Sequence, residues 1–421
     1  MRFSLLVGKG GKNCFSAKRD ALLFNPTMPS GSAPTLPGAP DLASTGVFPG
    51  PYPAPFRRTP ERWHEVIDER SVRHLRTEGW CVVDDFLGKS DEVNGDGSGG
   101  TPDEDGTSND PKRSSSNHWA SALRSEIKWL SRAGLVRPNR THFQNLKNGQ
   151  RHLFSKPNVF EADLHEEEVR KRVPELSFFF ETVQDTLPEA FRKRSTGAST
   201  SDSNAFPFPS LEHLATGDSA RTVKLQHNRG SGGCFPCHYD NPGAPSKRFL
   251  TCILYLNPEW REGDGGELVV TPFLGRSVKI RPTHNRLAVF YSDRVLHSVN
   301  PSTASDRFCL TVWIDAKDGH VNSPSDIALN INSKEIANGV EGLAEQLRVS
   351  PSQRSVSRAV YREVYLETLR NCMEGSDGCE EMRESHELIL ENFRSNKPLW
   401  SLIESLREVK EWNEMKGEVV V

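Results

Sequence analysis

The chain lacks an apolar run long enough to cross a bilayer: its longest credible one, Phe249–Leu256, falls far short of the ~20 residues that a spanning helix needs. Neither sign of charge is in excess, since 53 lysines and arginines nearly balance 56 aspartates and glutamates and leave a formal net charge of -3. No global field draws such a chain to nucleic acid or to an anionic membrane, and neither is expected as a partner. Core-building residues are also scarce. Only 35% of the 421 residues are hydrophobic, so much of the chain is expected to lie outside a packed core. The eight cysteines are dispersed rather than arranged as the dense framework of a small secreted domain, which predicts reduced thiols and a cytoplasmic or nuclear location. The basic N-terminus has no acidic residue before Asp20, but its apolar stretch Phe3–Val7 is too short for a secretory signal; import into an organelle stays open. A monomer is expected.

What the chain does contain changes character several times. Residues 1–58 are expected to form a tail without a core of their own, with Pro, Gly, Ala and Ser crowding residues 25–58. From Pro60 apolar residues return at helical spacing: Trp63, Val66 and Ile67, then Val72 and Leu75. Glu78-Gly79-Trp80 closes that helix before a short strand at Cys81–Val83. Residues 90–117 are acidic, rich in Gly and Ser, and lack the spacing of a calcium loop, so a disordered insert is predicted. Beyond it Trp119, Leu123, Ile127 and Leu130 recur at steps of four, four and three, the stripe of an amphipathic helix. Polar turns are expected from Arg151, then a helical pattern interrupted at Pro174. One domain is placed at 59–325, with its densest β pattern at about 220–316, and a helical extension at 326–421.

The stretch from Lys224 to Asp315 organises the rest. Side chains two apart in a strand share a face, so His238 and Asp240 of His238-Tyr239-Asp240 project into one space. A third ligand from His297, on a later strand, completes two imidazoles and a carboxylate, a set suited to non-haem Fe(II) used with oxygen. By the same parity Arg307, Cys309, Thr311 and Trp313 face one way and Phe308, Leu310 and Val312 the other. Thr251, Ile253, Tyr255 and Asn257 oppose Leu250, Cys252, Leu254 and Leu256. Apolar outer faces imply covering helices. Some eight short strands with Gly, Pro and Asn turns between them argue a mostly β protein with flanking helices: a double-stranded β-helix (jelly-roll, cupin-like) core, helical N-terminal support and a helical C-terminal extension.

These motifs resemble the 2-oxoglutarate- and Fe(II)-dependent prolyl hydroxylases, and particularly the hypoxia-inducible-factor prolyl hydroxylase branch. The matching pieces are Gly79–Gly88, the metal motif His238–Pro242, Thr251–Asn257, Gly265–Leu268 and Asp306–Trp313. The resemblance implies iron held by His238, Asp240 and His297. It also implies 2-oxoglutarate anchored through its far carboxylate by Arg307, with Thr311 and the Tyr255 hydroxyl bonding the co-substrate and Leu268 forming an apolar wall. A guanidinium suits that anchor because it forks onto a carboxylate through two charge-assisted hydrogen bonds. Fe(II), 2-oxoglutarate, O2 and ascorbate are the implied cofactors, and a proline-containing protein or peptide is the implied substrate. The implied reaction couples hydroxylation to decarboxylation of 2-oxoglutarate to succinate, with oxygen sensing as a role of the branch. The branch places a tyrosine on the co-substrate near Asn228; here His227 and Asn228 stand there, and Asn228 is the candidate replacement.

Other readings stand beside this one. A jelly-roll scaffold could keep the metal without turnover, and the hydroxylated residue need not be proline. Cys234-Phe-Pro-Cys237-His238 matches the haem-attachment signature as well as a redox dithiol or half a zinc site. No second Cys pair at zinc-finger spacing follows, and His238 belongs to the ordered metal set. Trp313 is expected to be core, and Asp306 is the nearest rival partner for Arg307.

Overall fold

A computed structural model of the protein describes residues 14–15, 46–52, 56–88, 118–195, 207–217, 221–241, 243, 245–317, 329–330, 339–376, 378–417 and 419–421. The expected insert at 90–117 and nearly all of the tail before residue 46 lie outside the described residues.

Helix α1 (Glu69–Glu78) starts where the Asp68 carboxylate accepts the Ser71 amide, and stops at Gly79 in the left-handed conformation, φ 88°. A Cβ at Gly79 would meet the Phe208 ring at 2.7 Å, so glycine is needed there for space as well as conformation. Strand β1 (Trp80–Val83) follows. Helix α2 (His118–Arg132) buries Trp119, Leu123, Ile127 and Leu130, the stripe expected from its spacing.

Two features differ from the sequence expectation here. Arg137–Gln144 and Arg151–Asp163 form strands β2 and β3, an antiparallel hairpin; turns were expected from Arg151, and β2 was not anticipated. Their residues are largely polar on both faces, which hides the period-two signal. Pro174 begins helix α3 (Pro174–Ser195) instead of interrupting one. It has no N–H to leave unpaired, and Glu126 of α2 accepts the next two amides, Glu175 N at 3.0 Å and Leu176 N at 2.8 Å. The last part of the expected tail is seated on this helix end: Phe48 N donates to Arg172 O at 2.7 Å, the Tyr52 hydroxyl to Glu126 at 2.6 Å, and Arg58 Nε to Glu175 at 2.9 Å.

Eight strands then form the core: β4 (Arg221–Arg229), β5 (Gly233–His238), β6 (Arg248–Tyr255), β7 (Leu268–Pro272), β8 (Val278–Ile280), β9 (Arg286–Tyr291), β10 (Val295–Ser302) and β11 (Asp306–Asp315). They belong to two sheets, the larger ordered β1-β9-β6-β11-β4-β3-β2 and the smaller β8-β7-β10-β5. All pairings among these strands are antiparallel, giving the expected jelly roll. The outer face of the larger sheet is covered as the parity argument required: Phe308 points away from the cleft, stacks on His227 and lies under Arg124 of α2.

Helices α4 (Gly339–Val349), α5 (Arg354–Val360), α6 (Arg362–Met373), α7 (Cys379–Ser395) and α8 (Lys397–Glu414) pack on the smaller sheet. They share an apolar cluster with Cys234, Cys237 and Tyr239 on one side and Phe273, Leu274 and Leu296 on the other. A disulfide joins Cys234 of β5 to Cys372 of α6, with Cα atoms 5.4 Å apart. The expectation of reduced thiols therefore fails for this pair, because the fold brings together two cysteines 138 residues apart, which spacing could not reveal. Cys81, Cys237, Cys252, Cys309 and Cys379 are free thiols. A two-residue strand β12 (Val419–Val420) pairs in parallel with the edge of β8.

Candidate metal and co-substrate site

The two histidines meet because β5 and β10 are neighbours in register: His238 and His297 are cross-strand partners, with ring centroids 4.3 Å apart. Asp240 follows β5 by two residues and turns its carboxylate to both rings, Oδ1 lying 3.4 Å from His238 Nε2 and Oδ2 3.7 Å from His297 Nε2. One donor atom from each residue lies within 4.8 Å of the others, and among the described residues this is the one such cluster of His, Cys, Asp and Glu. His238 Nδ1 sits 2.8 Å from the Pro236 carbonyl and His297 Nδ1 3.2 Å from that of Val295. Protonated Nδ1 atoms donate there, which leaves both Nε2 lone pairs for a cation.

The carboxylate is itself held. Asp240 Oδ2 accepts from Thr251 Oγ1 at 2.7 Å and from Trp313 Nε1 at 2.9 Å. Trp313, expected only as core, therefore orients a ligand; parity correctly placed it on the cleft face but could not name its partner. Burial pushes the Asp240 pKa up, yet the facing His297 and His238 outweigh it and hold the carboxyl well below its usual range. Burial, helped by the His238 charge, lowers His297 to about 4, so its imidazole is neutral at physiological pH.

Arg307 is 1% exposed and has no carboxylate partner among the described residues. Asp306, the rival partner, points out of the sheet to His227 Nε2 at 2.7 Å instead. Arg307 Nε donates to the Gly266 carbonyl at 2.8 Å, and its guanidinium lies 5.1 Å from the Tyr255 ring centroid. A Cβ on Gly266, φ 75°, would come within 2.8 Å of Arg307 Cδ, so only glycine lets the arginine lie flat. The Tyr255 hydroxyl is fully buried without a hydrogen-bond partner, as is Asn228 Oδ1, and Asn228 stands opposite Arg307 across β4 and β11. A buried cation without its anion and a buried hydroxyl without a partner fit a missing anionic ligand, whereas Asn228 Oδ1 is an acceptor and would need a donor instead.

A cleft of about 80 Å³ between the sheets is lined by His238, Asp240, His297, Thr311, Leu268 and Trp313. Of the expected site residues, Arg307, Tyr255 and Asn228 lie deeper, behind this lining. His227 faces the opposite side, where it bonds Ser131 Oγ at 2.7 Å.

One wall of the cleft was missed from the sequence. Asn139, Lys156 and Glu161 of the β2–β3 hairpin line it together with Lys224 and Gln226 of β4. Glu161 accepts from Asn139 at 2.5 Å and from Lys224 at 3.0 Å, while Lys156 Nζ donates to Asn139 at 2.5 Å and lies 5.0 Å from the Phe235 ring centroid. Burial lowers the Lys156 pKa to about 8 against the pull of Glu161. Alternation with Asn228 could have exposed Lys224 and Gln226, whereas the hairpin residues carried no signal once their strands went unrecognised.

Two imidazoles and one carboxylate at the mouth of a jelly roll, backed by a buried arginine, define the class of non-haem iron oxygenases with an open coordination face. The family model described as the 2OG-Fe(II) oxygenase superfamily matches residues 223–315. Mouse prolyl hydroxylase EGLN3 is 40% identical over 94 residues, covering 21% of this chain and 38% of the relative. Human Egl nine homolog 1 is 39% identical over 87 residues, covering 20% of each. A solved prolyl 4-hydroxylase structure from Phytophthora capsici is 37% identical and superposes with a TM-score of 0.65, covering 87% of this chain and all (100%) of that one. The chain belongs to the 2OG-Fe(II) oxygenase superfamily, as a prolyl hydroxylase-like member. It spans only 38% of the length of the first of these curated relatives.

Proposed function

We propose that the protein is a 2-oxoglutarate- and Fe(II)-dependent dioxygenase that hydroxylates peptidyl proline in a protein substrate. The observation that carries this is a complete metal triad lining the cleft together with a buried arginine, on the strand that gives the cleft Thr311 and Trp313, that has no carboxylate partner among the described residues. A scaffold that only held metal would gain nothing from the second half, since an unpaired buried guanidinium is costly.

His238, Asp240 and His297 would hold the iron, which supplies the oxygen chemistry when bound with 2-oxoglutarate and O2, coupled to decarboxylation to succinate and carbon dioxide. Arg307 grips the far carboxylate of the co-substrate and the Tyr255 hydroxyl donates to it. Thr311 donates from the same strand face, and Leu268 closes the apolar side. Thr251 and Trp313 fix the Asp240 carboxylate so that one oxygen stays free for the metal. Phe235, Ile253 and Val299 keep water from the reacting carbon, while the hairpin wall meets the peptide. Ascorbate would keep the iron reduced between turnovers.

The test is succinate release from 2-oxoglutarate with Fe(II) and ascorbate, together with mass spectrometry for one added oxygen on proline-containing peptides. Wild-type protein is expected to give both, and Asp240→Ala neither. Equal succinate from the two proteins would overturn the enzyme reading; oxygen added only to residues other than proline would overturn the substrate.

A further inference from the structure

Helix α6 holds the metal-bearing strand β5 at two points one helical turn apart. The Cys237 amide donates to Thr368 Oγ1 at 3.0 Å, and Cys234 is bonded through sulfur to Cys372. Between these two points lie Phe235 and Pro236, which line the cleft, and His238 follows immediately. The Pro236 carbonyl is also the group that faces His238 Nδ1. Any shift of β5 against α6 therefore moves a cleft wall and the hydrogen bond that orients an iron ligand. Cys234 and Cys372 are only 2% and 6% exposed, but Cys372 is the next-to-last residue of α6, preceded by the exposed Asn371 and followed by the buried Met373. Fraying of that last turn opens the pair to small reagents.

We propose that Cys234 and Cys372 form a reversible redox clamp that sets how firmly the triad holds its iron. Cys372 gives up its proton, its thiolate takes one oxygen of a hydrogen peroxide to become a sulfenic acid as the O–O bond breaks, and the hydroxide released takes up that proton as water; the Cys234 thiol attacks that sulfur, forms the S–S bond and expels a second water. Two successive exchanges with a low-molecular-weight thiol restore both cysteines and leave that thiol as its own disulfide. Closed, the bond fixes β5 at both points. Open, it leaves the Thr368 contact and a weak one from the Cys234 thiol to the Asn371 carbonyl, 3.5 Å away. The inference rests on the iron-oxygenase reading only in that ferrous ion occupies the triad.

The test compares metal-free protein treated with peroxide or with a phosphine reductant, freed of reagent, and then loaded with Fe(II). Unreduced peptide mapping is expected to find the Cys234–Cys372 cross-link only in the oxidised form. Iron release to a chromogenic chelator, without co-substrate or peptide, is expected to be about tenfold faster in the reduced form, the range for losing support around a metal ligand. Cys372→Ser should release iron at the reduced rate after either treatment, and Cys237→Ser should still respond. Absence of the cross-link after peroxide, equal release rates in the two wild-type forms, or a redox response surviving in Cys372→Ser would each overturn the clamp. Different release rates without any proline hydroxylation would sink the substrate reading and leave the clamp standing.

Discussion

At the scale of single residues, the site divides into groups that bind and groups that hold the binders in place. Replacing Arg307 by alanine removes the buried guanidinium proposed to meet a co-substrate carboxylate; losing a buried charged partner costs about 2 kcal/mol or more, so the KM for 2-oxoglutarate should rise at least about thirtyfold. Arg307→Lys keeps the charge but loses the fork, and a steady-state titration should place it between the two. Trp313→Phe keeps the ring and deletes one donor to Asp240, so Fe(II) affinity, read by chelator competition, should fall about tenfold. Unchanged affinity would mean that Thr251 alone positions the carboxylate. The candidate metal cluster was legible in the sequence as the set His238, Asp240 and His297, although Asp240 lies two residues past the end of its strand, where strand alternation no longer applies; Arg307, Thr311 and Trp313 share a face by their spacing on β11. What Trp313 bonds was not legible, since alternation gives a direction and never a partner. The orphaned Tyr255 hydroxyl was likewise visible only once its surroundings were assembled.

Among the secondary-structure elements, the junction of α2, α3 and the segment before residue 59 turns on one buried carboxylate. Burial raises Glu126 to about 7, against the opposing bonds from Tyr52 and from the Glu175 and Leu176 amides. A carboxyl whose folded pKa lies above its unfolded value of 4.5 binds its proton more tightly when folded. Its contribution to stability is therefore full below about 4.5 and is lost as pH rises through about 7. Glu126→Gln abolishes that titration and keeps an acceptor for only one of the two amides, a loss that lowers its melts by the same amount at every pH. Thermal melts from pH 4.5 to 8 should show the variant gaining on wild type across this window, and parallel curves would rule the linkage out. Helix α2 was readable because four large apolar residues step at its own period. The β2–β3 hairpin was not, because the face it turns to the cleft carries Asn139, Thr141 and Glu161, polar residues where an apolar stripe would have marked a strand. With it went Lys156, Asn139 and Glu161. Lys156→Met should raise the KM for peptide more than that for 2-oxoglutarate if this wall meets the substrate.

For the molecule as a whole, two apolar clusters share the smaller sheet, one inside the jelly roll and one beneath the C-terminal helices. Removing residues 339–421 would uncover Phe273, Leu274 and Leu296, and each such side chain is worth roughly 1.5–3 kcal/mol when buried. The truncated chain should therefore bind a hydrophobic dye and melt at lower temperature, even though every iron ligand remains. The general plan, a β core between two helical layers, followed from the change in periodicity along the chain. How the second layer attaches did not, because the bond between Cys234 and Cys372 links positions 138 residues apart. The two-residue strand Val419–Val420 carries one last consequence. By pairing with Val278 and Lys279 it spends the backbone groups that β8 would otherwise offer to any passing extended peptide, and it is too short to offer a comparable template of its own. Cutting away the final three residues should turn that rim into a nucleation point for assembly, detectable as slow growth in light scattering at constant secondary-structure content.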